Sequence, residues 1–227
     1  MRAMILAAGR GERMRPLTDR TPKPLLQVGG ETLIDRHLQA LRAAGIRQVV
    51  INVSWLGEQI RERLGRGEGF GLDIVYSQEP PGALDTGGGI RHALGLLGDG
   101  PFLVVNGDTW TDVDLSSLCE AQALASEDLA TLLLVPTPAY KAAHDFAFSE
   151  GRVVAGLRTH TFSGIGLYRP ALFDAAPSTA RFPLAPLLRE AVEAGRVAGR
   201  VHHGEWYDVG TPERLRALDT RLLRLRG

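Results

Sequence analysis

The residues best suited to chemistry lie near the amino terminus, in LAAGRGERMRPLTDRTPKP from Leu6 to Pro24. The stretch holds two glycines, four arginines, one lysine and three prolines, and little that a core could use. Gly9 and Gly11 let main-chain amides come close to an anion, while Arg10, Arg13, Arg15, Arg20 and Lys23 supply positive charge. A phosphate chain suits such a loop; the plainer reading is a solvated basic segment. Two familiar phosphate loops do not fit. A P-loop needs Gly-Lys-Ser/Thr opening a helix, whereas Lys23 lies between Pro22 and Pro24. A dinucleotide fingerprint needs a third glycine where Met14 stands and an acid after the second strand, which ends Asn52-Val53-Ser54. Lys23 also stands out by type, because only it and Lys141 are lysines among 26 basic residues. A compact ammonium in a proline-fixed turn suits a point contact to a phosphate oxygen.

Two carboxylates follow strand-like runs: Asp108 in NGD and Asp208 in WYDVGT. Each has a plain reading, a polar turn for the first and a neighbour of the Thr211 helix cap for the second. Each also fits a hard cation held by few carboxylates plus substrate phosphates. In SQEPPGALDTGGGI, Gln78 offers a donor and an acceptor, as a uracil or thymine edge requires, and the glycines allow close approach to a flat base. A glycine-rich helix start is the alternative there. No Ser/His/Asp or Cys/His set is apparent, and His202-His203 lack the companions of a zinc site. Trp55 and Trp110 read as packing residues.

The elements that must position these groups follow from the apolar pattern. MRAMILAA, RQVVINV, DIVYSQ, PFLVVNGD and ATLLLVP read as strands. Between them ETLIDRHLQALRAAG, WLGEQIRERLG, TGGGIRHALGLL and LSSLCEAQALAS read as helices, the first with Leu33, Ile34, Leu38 and Leu41 on one face. After Pro138 come two short strands around Glu150-Gly151, another in THTFSGIGLYRP, and helices in PLAPLLREAVEAG and TPERLRALDTRLLRLR. The alternation predicts a doubly wound, mostly parallel α/β sheet with a small antiparallel section over the crevice, in one domain spanning 1–227. Ligands in such sheets sit beyond the carboxyl ends of the strands. With 26 acidic and 26 basic residues the net charge is zero, so neither nucleic acid nor a membrane is an expected partner and any anion site is local. Cys119 is the only cysteine, which excludes an internal disulfide and suits a buried thiol in a reducing compartment. The N-terminal apolar stretch is too short for a signal peptide or membrane span, and a cytoplasmic protein is expected.

Taken in this order and at these separations, the motifs resemble those of the sugar-phosphate nucleotidyltransferases, whose signature is LAAG-x-G-x-R-x-R-P-LT followed by PKP. INVSWLGEQI, DTGGGI, FLVVNGDTWTD, TFSGIGLY and WYDVGT extend the resemblance over essentially the whole chain. It implies a Rossmann-like sheet and an enzyme that joins a nucleoside monophosphate from an NTP to a sugar 1-phosphate, releasing pyrophosphate. Residues 1–135 would then serve mainly the nucleotide, and 136–227 the sugar phosphate and second metal ligand. The resemblance implies catalytic contacts from Arg15, Lys23, Asp108 and Asp208, the two aspartates holding Mg2+. On the nucleotide it implies Ala7, Gly9, Gly11, Glu12, Arg13, Gln78, Gly82, Gly87 and Asn106; on the sugar side the candidates are Asp145, Glu150 and Ser163 for hydroxyls or the acetamido group, and Arg158 for the sugar phosphate. Where many relatives have Glu-Lys-Pro, this chain has Gly156-Leu157-Arg158-Thr159-His160. Similarity to the shorter members implies UMP transfer from UTP to N-acetylmuramate 1-phosphate, a reaction of peptidoglycan recycling. The lactyl carboxylate of that sugar asks for a cation, for which Arg152, Arg158 and Arg181 are candidates. Guanylyl transfer to mannose or heptose 1-phosphate and cytidylyl transfer to phosphocholine are the close alternatives. A non-catalytic nucleotide-binding regulatory module is the alternative of another class.

Overall fold

A computed structural model describes residues 1–120, 123–176 and 181–226, with the side chain of Arg226 excepted. Strand β1 (Arg2–Leu6) is buried through Ala3, Met4 and Ile5. The segment after it folds back through three single 3-10 turns, Glu12–Met14, Leu17–Asp19 and Lys23–Leu25. A two-residue hairpin of β2 (Gln27–Val28) and β3 (Glu31–Thr32) leads into α1 (Leu33–Ala43). Thr32 caps that helix by accepting from the Asp35 amide at 3.1 Å, and Leu33, Ile34, Leu38 and Leu41 form its buried face.

The expected alternation continues with β4 (Gln48–Val53), α2 (Gly57–Leu64), β5 (Asp73–Gln78), α3 (Asp85–Leu97) and β6 (Phe102–Asn106). A short β7 (Thr109–Thr111) precedes α4 (Ser116–Cys119). The helix expected over LSSLCEAQALAS is reduced to this single turn, and Ala121 and Gln122 lie outside the described residues. Burial of Leu118, Ala123 and Leu124 on either side of a bend at Glu120 overrides the helical preference of the alanines. Strands β8 (Ala130–Pro136), β9 (Ala147–Ser149), β10 (Arg152–Val154) and β11 (His160–Tyr168) follow. The chain closes with α5 (Ala185–Glu193), β12 (Val197–Val201), β13 (Trp206–Asp208) and α6 (Pro212–Arg226).

Nine strands form one sheet in the order β5-β4-β1-β6-β11-β8-β12-β10-β9. β5, β4, β1 and β6 are parallel, and β11 runs antiparallel between β6 and β8. β1 sits between β4 and β6, so successive connections leave it in opposite directions and a crevice opens beyond its carboxyl end. The first loop begins at this switch point. Beyond the sheet, β7 and β13 pair as a separate ribbon that sets Asp208 opposite Thr109.

Alternate residues of each strand feed two cores on opposite faces: Ile5, Ile51 and Val105 join one, and Met4, Val50 and Val104 the other. A third cluster gathers Met14, Leu26, Leu33, Trp110, Val209, Leu218 and Leu222, tying the first loop to the β7–β13 ribbon and to α6. Among the described residues no helix is long and apolar enough to cross a membrane.

His37, on α1, is buried. Burial pulls its imidazole down to about 4, against a hydrogen bond to the Thr109 main chain and the Asp108 charge, which both act upward. The unfolded chain binds this proton near 6.5 and the folded one only near 4, so stability is fully present above 6.5 and falls as the pH drops through that window. Between pH 7 and pH 5 the loss from this group is about 2 kcal/mol. Urea titrations at the two pH values should show this drop in the wild type and a smaller one in His37→Gln; equal drops would remove His37 from the account.

Candidate active site

The first loop, the ends of β4 and β5 and the turn after β6 enclose a crevice of about 1120 Å3. Ala7, Gly9, Gly11, Glu12, Arg13 and Lys23 line it from the first loop, and Gln78, Gly82, Asn106 and Asp108 from the other elements. Gly11 has φ 68° and leaves no room for a side chain, because a Cβ there would lie 2.9 Å from Thr18 Cγ2. Its carbonyl accepts from the Thr18 hydroxyl at 2.8 Å, which folds the loop back on itself. Trp55 braces the outer side: its indole donates to the Thr18 carbonyl at 3.0 Å, and the Arg10 guanidinium stacks 3.6 Å above its ring centre. Arg10 is thereby occupied, bonding the Thr18 carbonyl and Asp19 as well.

The loop arginines divide between crevice and surface. Arg15 does not line the crevice; its guanidinium donates to Asp19 at 2.8 Å on the exposed side. Arg13 does line it, and among the described residues it has no hydrogen-bond or ion-pair partner. The cation offered to an anion from this turn is therefore Arg13, a correction to the expectation for Arg15.

Lys23 is only 8% exposed and places its ammonium 2.6 Å from Asp108 Oδ2. Asp108 is carried there by Gly107, whose amide donates to the Leu6 carbonyl at 3.0 Å and where a Cβ would come within 2.6 Å of that oxygen. The Val209 amide donates to the Asp108 carbonyl at 3.0 Å and Asp208 pairs with Thr109, so the two aspartates come from adjoining segments, but Asp108 lines the crevice and Asp208 lines neither cavity. Asp208 Oδ2 accepts from Arg214 at 2.9 Å, and that guanidinium lies 4.0 Å from the Tyr140 ring centre. Each of the two carboxylates thus faces a cation. Hard carboxylate oxygens, one from the turn after β6 and one from β13, are the donor type a divalent ion such as Mg2+ takes together with substrate phosphates, and such an ion would displace the Lys23 and Arg214 contacts. No cluster of three or more His, Cys, Asp or Glu exists among the described residues, so such an ion would rest on these two carboxylates and its substrates.

Behind the crevice lies a buried polar bridge. Asn52 Oδ1 accepts from the Ala7 amide at 2.7 Å, and its Nδ2 donates to Glu79 Oε1 at 2.6 Å. Glu79 Oε2 accepts from the Leu84 amide at 2.6 Å. The glycines of Thr86-Gly87-Gly88-Gly89 serve this packing: a Cβ on Gly89 would meet Glu79 Oε1 at 2.5 Å, and one on Gly87 would meet the Phe182 ring at 2.5 Å. Gly87 is buried inside α3 and does not line the crevice, which corrects its assignment to the nucleotide. Gln78 does line it, held by Arg61 at 3.0 Å on Oε1 and by its own donation to the Glu79 carbonyl at 3.0 Å.

A second cavity of about 220 Å3 opens from the first, since Leu6, Thr86 and Asn106 line both. Asp145 and Arg158, two of the sugar-side candidates, line it. Asp145 Oδ2 accepts from Lys141 at 2.5 Å and from the Phe162 amide at 2.9 Å. Ser163 and Glu150 line neither cavity. Ser163 is fully buried at the bulge of β11, donating to the Leu133 carbonyl at 2.7 Å and accepting from the Ile165 amide at 3.1 Å. Glu150 sits with φ 48° at the turn between β9 and β10, on the far edge of the sheet. Arg152 is likewise remote, paired through both terminal nitrogens with Asp128 at 2.8 Å, whereas Arg181 lines the large crevice. Asn52 and Glu79 are the contributors that residue patterns did not single out, and Trp55, read as a packing residue, packs against the first loop. The signal of Asn52 and Glu79 was modest: polar residues closing β4 and β5.

Residues 2–145 match the family model described as Nucleotidyl transferase. The chain is 50% identical to an N-acetylmuramate alpha-1-phosphate uridylyltransferase of Neisseria meningitidis serogroup B, over 95% of this chain and 96% of that one. It is 36% identical to a protein of the same description from Caulobacter vibrioides, over 97% and 96% of the two chains. A Bacillus anthracis structure solved in complex with sucrose superimposes with a TM-score of 0.88 at 21% identity, covering 98% of this chain and 95% of that one. HddC from Yersinia pseudotuberculosis, complexed with GMP-PN, gives 0.79 at 19% identity over 97% and 98% of the chains. These two structural likenesses are of fold.

Both partners of the Glu79 carboxylate are donors, so an amide in its place would oppose one donor with another. Glu79→Gln should therefore lower the unfolding free energy by about 1–3 kcal/mol, read from the urea midpoint at constant m. An unchanged midpoint would show that the bridge contributes nothing.

Proposed function

The chain belongs to the nucleotidyl transferase family, and from that premise we propose that it transfers UMP from UTP to N-acetylmuramate 1-phosphate, releasing pyrophosphate. The observation that carries the substrate assignment is the 50% identity, over nearly the full length of both chains, to a protein so described. The geometry is consistent with this. Gln78 lines the crevice and, beyond its bonds to Arg61 and the Glu79 carbonyl, retains one amide hydrogen and one Oε1 lone pair, the donor and acceptor a uracil edge needs.

A sugar 1-phosphate has its second pKa at about 6 and is mostly dianionic at neutral pH, so its attack on phosphorus needs no general base. What opposes reaction is repulsion between two anions and the charge that grows on the departing pyrophosphate. In this reading the loop amides at Gly9 and Gly11 and the free Arg13 guanidinium hold the triphosphate. Lys23, turning from Asp108 to substrate, places its ammonium on the phosphate oxygens. Asp108 and Asp208 would hold Mg2+, which when bound supplies charge neutralisation and an in-line template. The second cavity, entered past Asn106 and Thr86, receives the sugar.

Pyrophosphate release measured with UTP, CTP, GTP and dTTP against several sugar 1-phosphates tests the assignment. Release should be fastest with UTP and N-acetylmuramate 1-phosphate; preference for another pair would replace it, and release with none would favour a regulatory binding module. Lys23→Ala and Asp208→Ala should each lower turnover at least about a hundredfold with the melting transition retained. Arg13→Ala should cost at least about tenfold more than Arg15→Ala, and the reverse order would return the phosphate contact to Arg15.

A further inference from the structure

The second cavity combines an apolar lining with an excess of positive charge. Phe146, Phe162, Leu184 and Leu188 form much of its wall, and its one carboxylate, Asp145, is already paired with Lys141. Two guanidinium groups also line it: Arg158 from the connection between β10 and β11, and Arg189 from α5. Neither has a hydrogen-bond or ion-pair partner among the described residues, whereas Arg152, Arg169 and Arg214 are all bonded. Leu184, Ala185, Leu188 and Arg189 lie along one face of α5 and its first turn, so helix packing fixes where Arg189 starts. An arginine on a packed helix beside a small cavity loses less freedom in taking a ligand than one on a loop, and its planar fork matches a carboxylate.

Position relative to the reacting groups limits what the cavity can receive. Asn106 lines both cavities and stands two residues before Asp108, so a sugar whose 1-phosphate meets Asp108 and Lys23 extends its ring toward Phe146 and Phe162. A substituent on the far side of that ring meets Arg189 and Arg158. Both residues are exposed and their guanidinium groups are hydrated when free, so a neutral hydroxyl there gains no charge pairing, while a carboxylate would meet the two cations.

We propose that Arg189, supported by Arg158 across the cavity, is a specificity-determining residue that binds a carboxylate substituent of the acceptor sugar. The inference rests on the sugar-phosphate reading of the site and adds to it the group that separates an acidic acceptor from a neutral one. Arg189 takes the part for which Arg152 is too distant and for which Arg181 lies in the other cavity.

The test compares kcat/KM for N-acetylmuramate 1-phosphate with that for N-acetylglucosamine 1-phosphate, which lacks the lactyl acid, with UTP and magnesium held constant. The ratio of the two should fall at least about tenfold in Arg189→Ala, with most of the change in the KM of the acidic sugar. Arg158→Ala, on an exposed connection, should lower the ratio less. A ratio in Arg189→Ala within twofold of wild type overturns the inference, whether both activities fall together or neither falls. If the wild type itself does not favour the acidic sugar, the acceptor named above is wrong and this inference falls with it. Preference retained in the variants overturns the inference alone.

Discussion

The geometry of the crevice depends on one buried carboxylate. Glu79 is 2% exposed, and a charge so placed persists only when its oxygens are met by donors. The donors are the Asn52 amide and the Leu84 main chain, and Asn52 passes the constraint on by holding the Ala7 amide. Three segments far apart in sequence are thereby fixed to one another: the start of the first loop, the end of β4, and the turn before α3. The same contact fixes Gly89, since any side chain would occupy the space of the carboxylate. The first-loop wall and the β5–α3 wall of the crevice are set against each other through this bridge.

The front of the site follows a different electrostatic rule. Lys23 and Arg214 satisfy Asp108 and Asp208, so the two carboxylates are charge-compensated side chains already held in place. Rearranging these pairs exchanges one set of charged partners for another and exposes no bare ion to a low-dielectric interior. Arg13, Arg158 and Arg189 differ in having no internal partner, and all three line cavities. Other arginines without a side-chain partner among the described residues, such as Arg20 and Arg66, line neither cavity, so it is the position of these three and not the lack of a partner alone that sets them apart.

Much of this was legible in the sequence. The alternation of apolar runs with helical patterns gave the parallel half of the sheet, and Leu33, Ile34, Leu38 and Leu41 gave the buried face of α1 because that information is local. The first-loop motif, NGD and D-x-G-T located the crevice, which lies at the switch point where chain order and sheet order part. Direction was not legible. Arg13 and Arg15 are two residues apart and equally charged, and only the 3-10 turn and Asp19 decide which one faces inward. Ser163 looked like a polar contact until the β11 bulge turned it onto backbone, and Glu150 until long-range pairing put β9 and β10 at the sheet edge. The glycines before Ile90 carried a packing requirement set by Phe182 and Glu79, which no window around them contains.

The third core cluster has a consequence for how the molecule comes into being. Met14, at the heart of the first loop, packs with Leu218 and Leu222 of α6, and the Gly29 amide is held by Asp219, 190 residues away. Strands β1, β4 and β5 have all their sheet partners within residues 2–106, whereas β6 also pairs with β11 from the second half of the chain. The packing around Met14 is completed only when α6 arrives. The four parallel strands are therefore complete in sequence by Asn106, while the packing behind the first loop waits for residues more than 190 positions further on than Met14.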